Sequence, residues 1–295
     1  MTRCAPVRGL PAGPGKRNNQ PMLVFHASPR PAAVLALLLL CAPSARAQAP
    51  AAPAPAVLPA PAAVAPAAGE LGARLAEIDA NWVIRDEPGK MDVDLALIQK
   101  AEKLAPNDYE VLWRMARHYY WLADDPSLKG EEKARLGKLT WDWSDRATQA
   151  NPARVEGWFY GSAGVGMYSI GISIIKALLD GMESKYLDRL KKAQAADPAY
   201  YGYGGDVSWG RYYYELPWPK YDWEKSQLAL LKALRNSPTN LRARVYLAEL
   251  YLKEDLPVEA RKQIDKVLGA KVGAYDPPEE RRAQGMARAV LAQMK

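Results

Sequence analysis

Four alanine–proline pairs recur along this chain, each with the proline five residues after the alanine. The pairs are Ala101/Pro106, Ala147/Pro152, Ala193/Pro198 and Ala233/Pro238. Successive prolines are 46, 46 and 40 residues apart. Because proline cannot continue a helix and biases the preceding residue towards extended backbone, each pair predicts a corner between two helices. A further small residue follows ten positions after each proline (Ala116, Ser162, Ser208, Ala248), as closely packed antiparallel helices require.

Apolar residues recur at helical spacing between these corners and predict an all-α fold of about eleven helices. The predicted helices cover 70–82, 91–104, 107–123, 131–150, 153–180, 182–196, 199–215, 222–236, 239–253, 256–268 and 279–294. Stacked helical hairpins at this period are typical of tetratricopeptide-like repeats. The first two spacings exceed the usual unit of about 34 residues, and the extra length is concentrated in 157–181.

Residues 1–47 have the features of an export leader. An apolar run, Val34 to Cys41, follows Arg30, and Ala45-Arg46-Ala47 forms a small-x-small cleavage site. We therefore predict a signal peptide over 1–47, with Met22 as an alternative start, and a mature protein in the periplasm.

Both cysteines, Cys4 and Cys41, lie in this leader, so the predicted mature chain has no disulfide and no thiolate. A lipid-bearing Cys41 is the less favoured alternative, because leucines 38–40 precede it where a lipoprotein signal needs a small residue. Six of the 40 basic residues also lie in the leader, which leaves 34 against 33 acidic residues. Net charge therefore gives no argument for nucleic-acid binding.

The composition then changes twice. Residues 48–69 are nearly all Ala and Pro and predict an extended, disordered linker. We expect the repeat domain over 70–270 and a C-terminal capping helix within 271–295. The charges of that last helix, among them Glu279 and Glu280, predict a polar outer face.

A run of nineteen residues without a charge extends from Gly157 to Ile175 and includes Gly161, Gly164, Gly166 and Gly171. Its length permits a membrane span, but glycines weaken helices and the run stays in phase with the repeat. Two other interpretations remain: a buried central helix, or a helix whose glycines leave room for an apolar ligand. The second predicts a hydrophobic cavity lined by Trp158, Met167, Ile170, Ile174 and Tyr212, with the space provided by Gly164 and Gly171.

Aromatic residues are dense between Tyr109 and Trp223, with eight Trp, thirteen Tyr and one Phe. They suit a packed core and a ligand cavity about equally. Arg114 and Arg117 lie one helical turn apart beside Trp113 and Trp121, so they are expected to stack on aromatic rings or to serve as polar anchors for a ligand.

Candidate catalytic groups are few. His118 has no cysteine to complete a zinc site and is expected to be packed or on the surface. The glycines near Ser162 have neither dinucleotide-binding nor nucleophile-elbow spacing. We therefore expect no enzyme activity, no cofactor and no metal.

The stretch from Asn107 to Leu268 resembles the T-component family of tripartite ATP-independent periplasmic (TRAP) transporters. The matching segments are Tyr109-Glu110-Val111-Leu112-Trp113-Arg114 with Tyr119-Tyr120-Trp121; Asn151-Pro152 with Gly157-Trp158 and Lys176-Ala177-Leu178; and Asp197-Pro198 with Gly204-Gly205, Trp209-Gly210-Arg211-Tyr212-Tyr213 and Leu216-Pro217. The resemblance implies a periplasmic all-helical homo-oligomer, commonly a lipoprotein. It also implies a solute-binding partner protein and a cavity for a hydrophobic small molecule.

Two function classes follow. One is a periplasmic accessory protein that binds a hydrophobic or amphipathic ligand and works with a solute-binding partner in transport. The alternative is a non-catalytic scaffold that holds a peptide or envelope protein on the concave face of the array.

Overall fold

The computed structural model describes residues 69–294, which form twelve α-helices and contain no strand. The helices are α1 (Glu70–Trp82), α2 (Lys90–Leu104), α3 (Tyr109–Ala123), α4 (Gly130–Ala150), α5 (Val155–Ile172), α6 (Ile174–Leu179), α7 (Met182–Ala196), α8 (Tyr200–Glu215), α9 (Trp223–Asn236), α10 (Leu241–Lys253), α11 (Pro257–Leu268) and α12 (Pro277–Gln293). The predicted signal peptide, both cysteines and nearly all of the Ala/Pro segment lie outside the described residues.

The four alanine–proline corners are confirmed. Each alanine is buried, and its carbonyl oxygen accepts the last helical N–H from the residue just before the proline. The helix then stops because proline has no N–H to donate and restricts that preceding residue. Asp222 caps α9 by accepting from Lys225 N, and Asp108 caps α3 by accepting from Glu110 N.

The four helices that follow the corners, α3, α5, α8 and α10, and the last helix, α12, contact one another in succession. Each of α2, α4, α7, α9 and α11 contacts a member of this series, and we call the series the inner helices. A large core cluster lies between α8 and α12, and smaller clusters lie between α1 and α8.

The prediction of one helix over 153–180 is wrong. Ser173 has a left-handed backbone with φ of 85° and separates α5 from the short α6. The uncharged run is thus mostly α5, and within residues 69–294 no helix is long and apolar enough to cross a membrane.

Glycines bring the backbones of α4 and α5 into direct contact. A Cβ added at Gly164 would lie 2.5 Å from Trp141 N, and one at Gly171 would overlap the backbone of Ala134. Gly137 on α4 faces Tyr168 and Gly164 in the same way. The expectation that Gly164 and Gly171 leave room for a ligand is therefore corrected, because a neighbouring helix fills that space.

The two ends of the array meet at a contact that we call the clasp. From the N-terminal side it comprises Arg85, Asp86, Trp121 and Asp124, and from the C-terminal side Asp276, Glu279, Arg281 and Arg282. Arg85 bonds Asp276 at 2.7 Å, Arg281 pairs with Asp86, and Arg282 donates to Trp121 O at 2.9 Å. The clasp thus links the first hairpins of the array to its last helix.

The prediction of a polar outer face for the last helix is wrong at two positions. Glu279 and Glu280 are 6% and 2% exposed and point inward. Glu280 accepts from the backbone N–H groups of Gly273 and Tyr275, and Glu279 pairs with Arg242 of α10. α12 packs against α10 and α11 through Ala283, Ala287 and Val290, among others.

Candidate functional site

Two adjacent chambers lie against α5. The outer chamber has an empty volume of about 530 Å³, counting space open to solvent, and its walls are almost wholly apolar. Ile170 of α5, Ile174 of α6, Tyr212 of α8 and Leu216 after α8 are among its lining residues.

The inner chamber is lined by residues of α3, α5, α7, α8, α10 and α12. Its empty volume is about 820 Å³ on the same basis, and Phe159, Met167 and Ile170 form part of its α5 wall. The two chambers are adjacent, because they share the lining residues Gly166, Ile170, Tyr186 and Arg211.

Charged side chains line the inner chamber at two places: Arg211, which pairs with Glu215, and a charged wall around Arg242. Arg242 binds the carboxylates of Asp124 and Glu279, and all three side chains are 7% exposed or less. Burial opposes ionisation of Glu279, but the positive charges of Arg242, Arg282 and Arg85 outweigh it and lower the pKa of this carboxyl. Glu279 is therefore an ionised hydrogen-bond acceptor at neutral pH.

Tyrosine rings complete the inner chamber. Tyr120, Tyr201, Tyr246 and Tyr275 line it from four different segments. Tyr201, Gly202 and Tyr203 are three consecutive residues with left-handed backbone, with φ of 52°, 59° and 62°. Asn240 holds this turn by donating to Gly202 O at 2.8 Å. The turn corrects the expectation of an unbroken helix over 199–215.

The predicted cavity residues are only partly brought together. Ile170, Ile174 and Tyr212 line the outer chamber, and Met167 lines the inner one. Trp158 lines neither chamber: its indole N–H donates to Pro152 O at 2.8 Å, and the Lys192 ammonium lies over its ring.

Arg114 and Arg117 already form ion pairs within the protein. Both bind Asp79 of α1, at 2.5 and 3.0 Å, and both stack on Trp113. Burial would raise the pKa of Asp79, but hydrogen bonds and charge from these two arginines outweigh it and lower that pKa. Their stacking on an aromatic ring is as expected. They line neither chamber, so they are not placed to anchor a ligand there.

His118 is a packed residue. It is 1% exposed, and its Nδ1 lies 2.9 Å from Asp94, which is fully buried. Among residues 69–294 there is no group of three or more His, Cys, Asp or Glu side chains placed to hold a metal ion.

Sequence reasoning missed Arg242, Glu279 and Tyr201 as site residues. Arg242 and Glu279 are charged residues in ordinary helical positions. Nothing in the sequence around either one indicates that they form a buried pair, because they are 37 residues apart in the chain. Tyr201 belongs to a tyrosine cluster that the sequence does reveal, but its left-handed turn depends on a bond to Asn240.

Three large apolar side chains that follow lining residues of the outer chamber closely in sequence are exposed to solvent. Ile175 and Leu179 of α6 are 62% and 83% exposed, and Trp218 in the α8–α9 loop is 89% exposed. The loop lies beside the α6–α7 corner, because Leu216 lines the same chamber as Ile174 and Lys220 binds Glu183 of α7. We call Ile175, Leu179 and Trp218 the docking surface.

No family model and no curated protein matches this chain. It is similar in structure to TTC0263, a thermophilic tetratricopeptide repeat (TPR) protein of Thermus thermophilus, with a TM-score of 0.57 and 21% identity over 76% of this chain and 100% of that one. MamA is another similar structure, with a TM-score of 0.38 and 16% identity over 67% of this chain and 91% of that one. The likeness to the Thermus protein shows the fold, which is that of a TPR-like helical repeat.

Proposed function

We propose that this protein is a non-catalytic TPR-like scaffold that works outside the cytoplasm and binds another protein. The observation that carries the proposal is the docking surface. Large apolar side chains this exposed are characteristic of interaction sites, and tryptophan is a common hot-spot residue. The fold supports the same conclusion, since solenoid repeats serve widely as binding surfaces.

The partner fits the periphery of the array better than its concave groove. The docking surface is exposed, whereas the clasp joins the two ends of the array. The resemblance to T-components suggests a periplasmic solute-binding protein or a second copy of this chain as the occupant of the docking surface.

Photo-crosslinking in the exporting cell tests this proposal. A photoreactive amino acid is placed at Leu179 or Trp218, and at Ala150 and Ala195 as exposed control positions on α4 and α7. We expect defined protein adducts from 179 and 218 and none from 150 and 195. Mass spectrometry of the adduct distinguishes a second copy from a different protein. Absence of adducts at both test positions, or equal adducts at the controls, contradicts the proposal.

A second candidate function is favoured by the chambers. We infer that they hold a small hydrophobic or amphipathic molecule, which the protein handles together with a solute-binding partner during transport. Transfer of apolar ligand surface out of water contributes roughly 25 cal/mol per Å², so the outer chamber needs no charged anchor. Residues Met167, Ile170 and Ile174 of the uncharged run provide part of this surface.

Fluorescence of N-phenyl-1-naphthylamine, a neutral apolar probe, tests the second candidate. We expect saturable binding to the wild-type protein and loss of binding in Gly166→Leu, because Gly166 lines both chambers and its Cβ direction meets only the Tyr186 ring. Gly285→Leu is the control, since nothing lies within 4 Å of a Cβ there. Equal binding by both variants contradicts a ligand in the chambers.

A further inference from the structure

We infer that the inner chamber contains a head-group subsite, at Glu279, Tyr120 and Tyr201, for an otherwise apolar molecule that ends in a neutral hydroxyl. This inference rests on the second candidate function, ligand binding in the chambers. It specifies which end of the ligand lies in the inner chamber and which chemistry that end carries.

The first observation is an acceptor without a donor. Oε1 of Glu279 accepts from Arg242 Nε, while Oε2 is buried and has no hydrogen-bond partner among the described residues. A buried carboxylate oxygen left unpaired is costly, so a ligand that donates to it gains more than an ordinary hydrogen bond.

The second observation concerns two tyrosine hydroxyls. Within residues 69–294 neither Tyr120 nor Tyr201 hydrogen-bonds to another group through its hydroxyl, although both rings line the inner chamber. Burial raises the pKa of Tyr201, and the nearby Glu279 carboxylate raises it further. Burial likewise raises the pKa of Tyr120, with Asp124 and Glu279 adding to it. Both hydroxyls stay protonated and free to donate.

The third observation is the backbone that places Tyr201. A non-glycine residue with positive φ is uncommon, and here Tyr201 and Tyr203 flank Gly202 in one left-handed turn. Such backbone persists only where its surroundings fix it, and it is concentrated at ligand sites. Asn240, the N-cap residue of α10, holds the turn and lies two residues before Arg242, so the tyrosine and the charged wall are positioned by the same segment.

Charge then selects among head groups. An ammonium would donate to Glu279, but Arg242, Arg282 and Arg85 already act on that carboxylate and would repel another cation. A carboxylate has no proton to donate at neutral pH, and the two arginines that line the chamber, Arg242 and Arg211, are already paired with carboxylates of the protein. A hydroxyl donates to Glu279 Oε2 and accepts from a tyrosine without adding charge.

Displacement of N-phenyl-1-naphthylamine by ten-carbon chains tests the head group. 1-Decanol, decylamine and sodium decanoate are compared on the wild-type protein and on Tyr201→Phe, Tyr120→Phe and Glu279→Gln. Tyr251→Phe is the control, because this buried tyrosine lines neither chamber and accepts from Gln227. The ratio of displacing concentrations is compared between proteins, which cancels the different water solubilities of the three chains.

We expect the wild-type preference for decanol over decanoate to fall by about tenfold in Glu279→Gln and severalfold in each Tyr→Phe variant, and to stay unchanged in Tyr251→Phe. Thermal melts show which variants are folded, and the tyrosine variants decide the result if Glu279→Gln is not. A ratio unchanged in the folded variants overturns the head-group subsite while leaving ligand binding intact. Failure of the wild-type protein to bind the naphthylamine overturns both.

Discussion

Glycines of the same helix differ in what they contact, and this decides the effect of each substitution. Gly164 and Gly171 face the backbone of α4, whereas Gly166 faces the chambers and the Tyr186 ring. Small residues at a helix contact allow a backbone approach that a single methyl group would prevent. A substitution at Gly164 therefore tests helix packing, and one at Gly166 tests the cavity.

We predict that Gly164→Ala destabilises the protein by about 1–3 kcal/mol, because the added methyl overlaps Trp141 N and Gly137 O. Gly285→Ala on α12 meets open space and should stabilise by up to about 1 kcal/mol through helix propensity. Urea denaturation of the two variants and the wild type measures both changes in the free energy of unfolding. A stable Gly164→Ala protein would show that α4 and α5 are less closely packed than described.

At the level of helices, each proline corner depends on the small residue before it. Ala147 is fully buried where α4 ends, and the β-carbon of Ala147 lies 3.4 Å from the Cβ position of Gly157 on α5. Larger side chains at such a position force the two helices of the hairpin apart.

We predict that Ala147→Leu lowers the free energy of unfolding by about 1–3 kcal/mol, as overpacking of a filled contact usually does. Ala150→Leu three residues later is exposed and should stay within about 0.5 kcal/mol of the wild type. The same comparison applies on α7 to Ala193→Leu, which is buried, and Ala195→Leu, which is exposed. Equal melting temperatures for the buried and the exposed variant of each pair would mean that the register of the repeat is wrong.

At the level of the whole molecule, the clasp joins the first hairpins to the last helix. Arg282 lies over the Trp121 ring at 3.2 Å, donates to Trp121 O and pairs with Asp124. These contacts link residues about 160 positions apart in sequence, so they hold the two ends of the array together.

We predict that Arg282→Ala destabilises the protein by about 2 kcal/mol or more, because it leaves the buried Asp124 with one cation fewer. It should also increase amide hydrogen exchange in the first turn of α12. Arg288→Ala, exposed on the same helix, is the control and should change neither quantity. Equal exchange in both variants would mean that the clasp does not hold the ends together.

Acid should open the clasp. The hydrogen bond from Arg281 lowers the pKa of Asp86 below its ordinary 3.8, and the arginines around Glu279 outweigh burial and lower its pKa below 4.5. Groups with a lowered folded-state pKa add stability above their unfolded pKa and lose it as the pH falls through the folded value. We therefore predict that the urea midpoint is constant near neutral pH and falls below about pH 4.

Urea titrations at pH 7, 5 and 3.5 measure this loss. Asp86→Asn should show a smaller acid-dependent fall than the wild type, because one of the groups that must be protonated is gone. Asp188→Asn, on the exposed surface of α7, is the control and should follow the wild-type curve. A wild-type midpoint independent of pH down to 3.5 contradicts the assignment.

The sequence by itself determined the helical repeat. Proline lacks an N–H and alanine permits close packing wherever they occur, so the four corners and the helices around them follow from local chemistry. The high density of aromatic residues between Tyr109 and Trp223 is likewise visible in the sequence. The glycine-rich run was identified as unusual, but its sequence did not reveal which glycines faced a helix and which faced a chamber.

Only the tertiary structure decided the site. Whether Glu279 faces water or Arg242, whether Tyr201 turns left-handed, and whether the array closes at Arg282 each depend on partners from distant repeats. The spacing of apolar residues predicts which residues share a face of one helix. It does not predict which residues of another repeat pack against that face. The fold was therefore predictable from short-range spacing, while the chambers and the clasp arise from contacts between residues far apart in the chain.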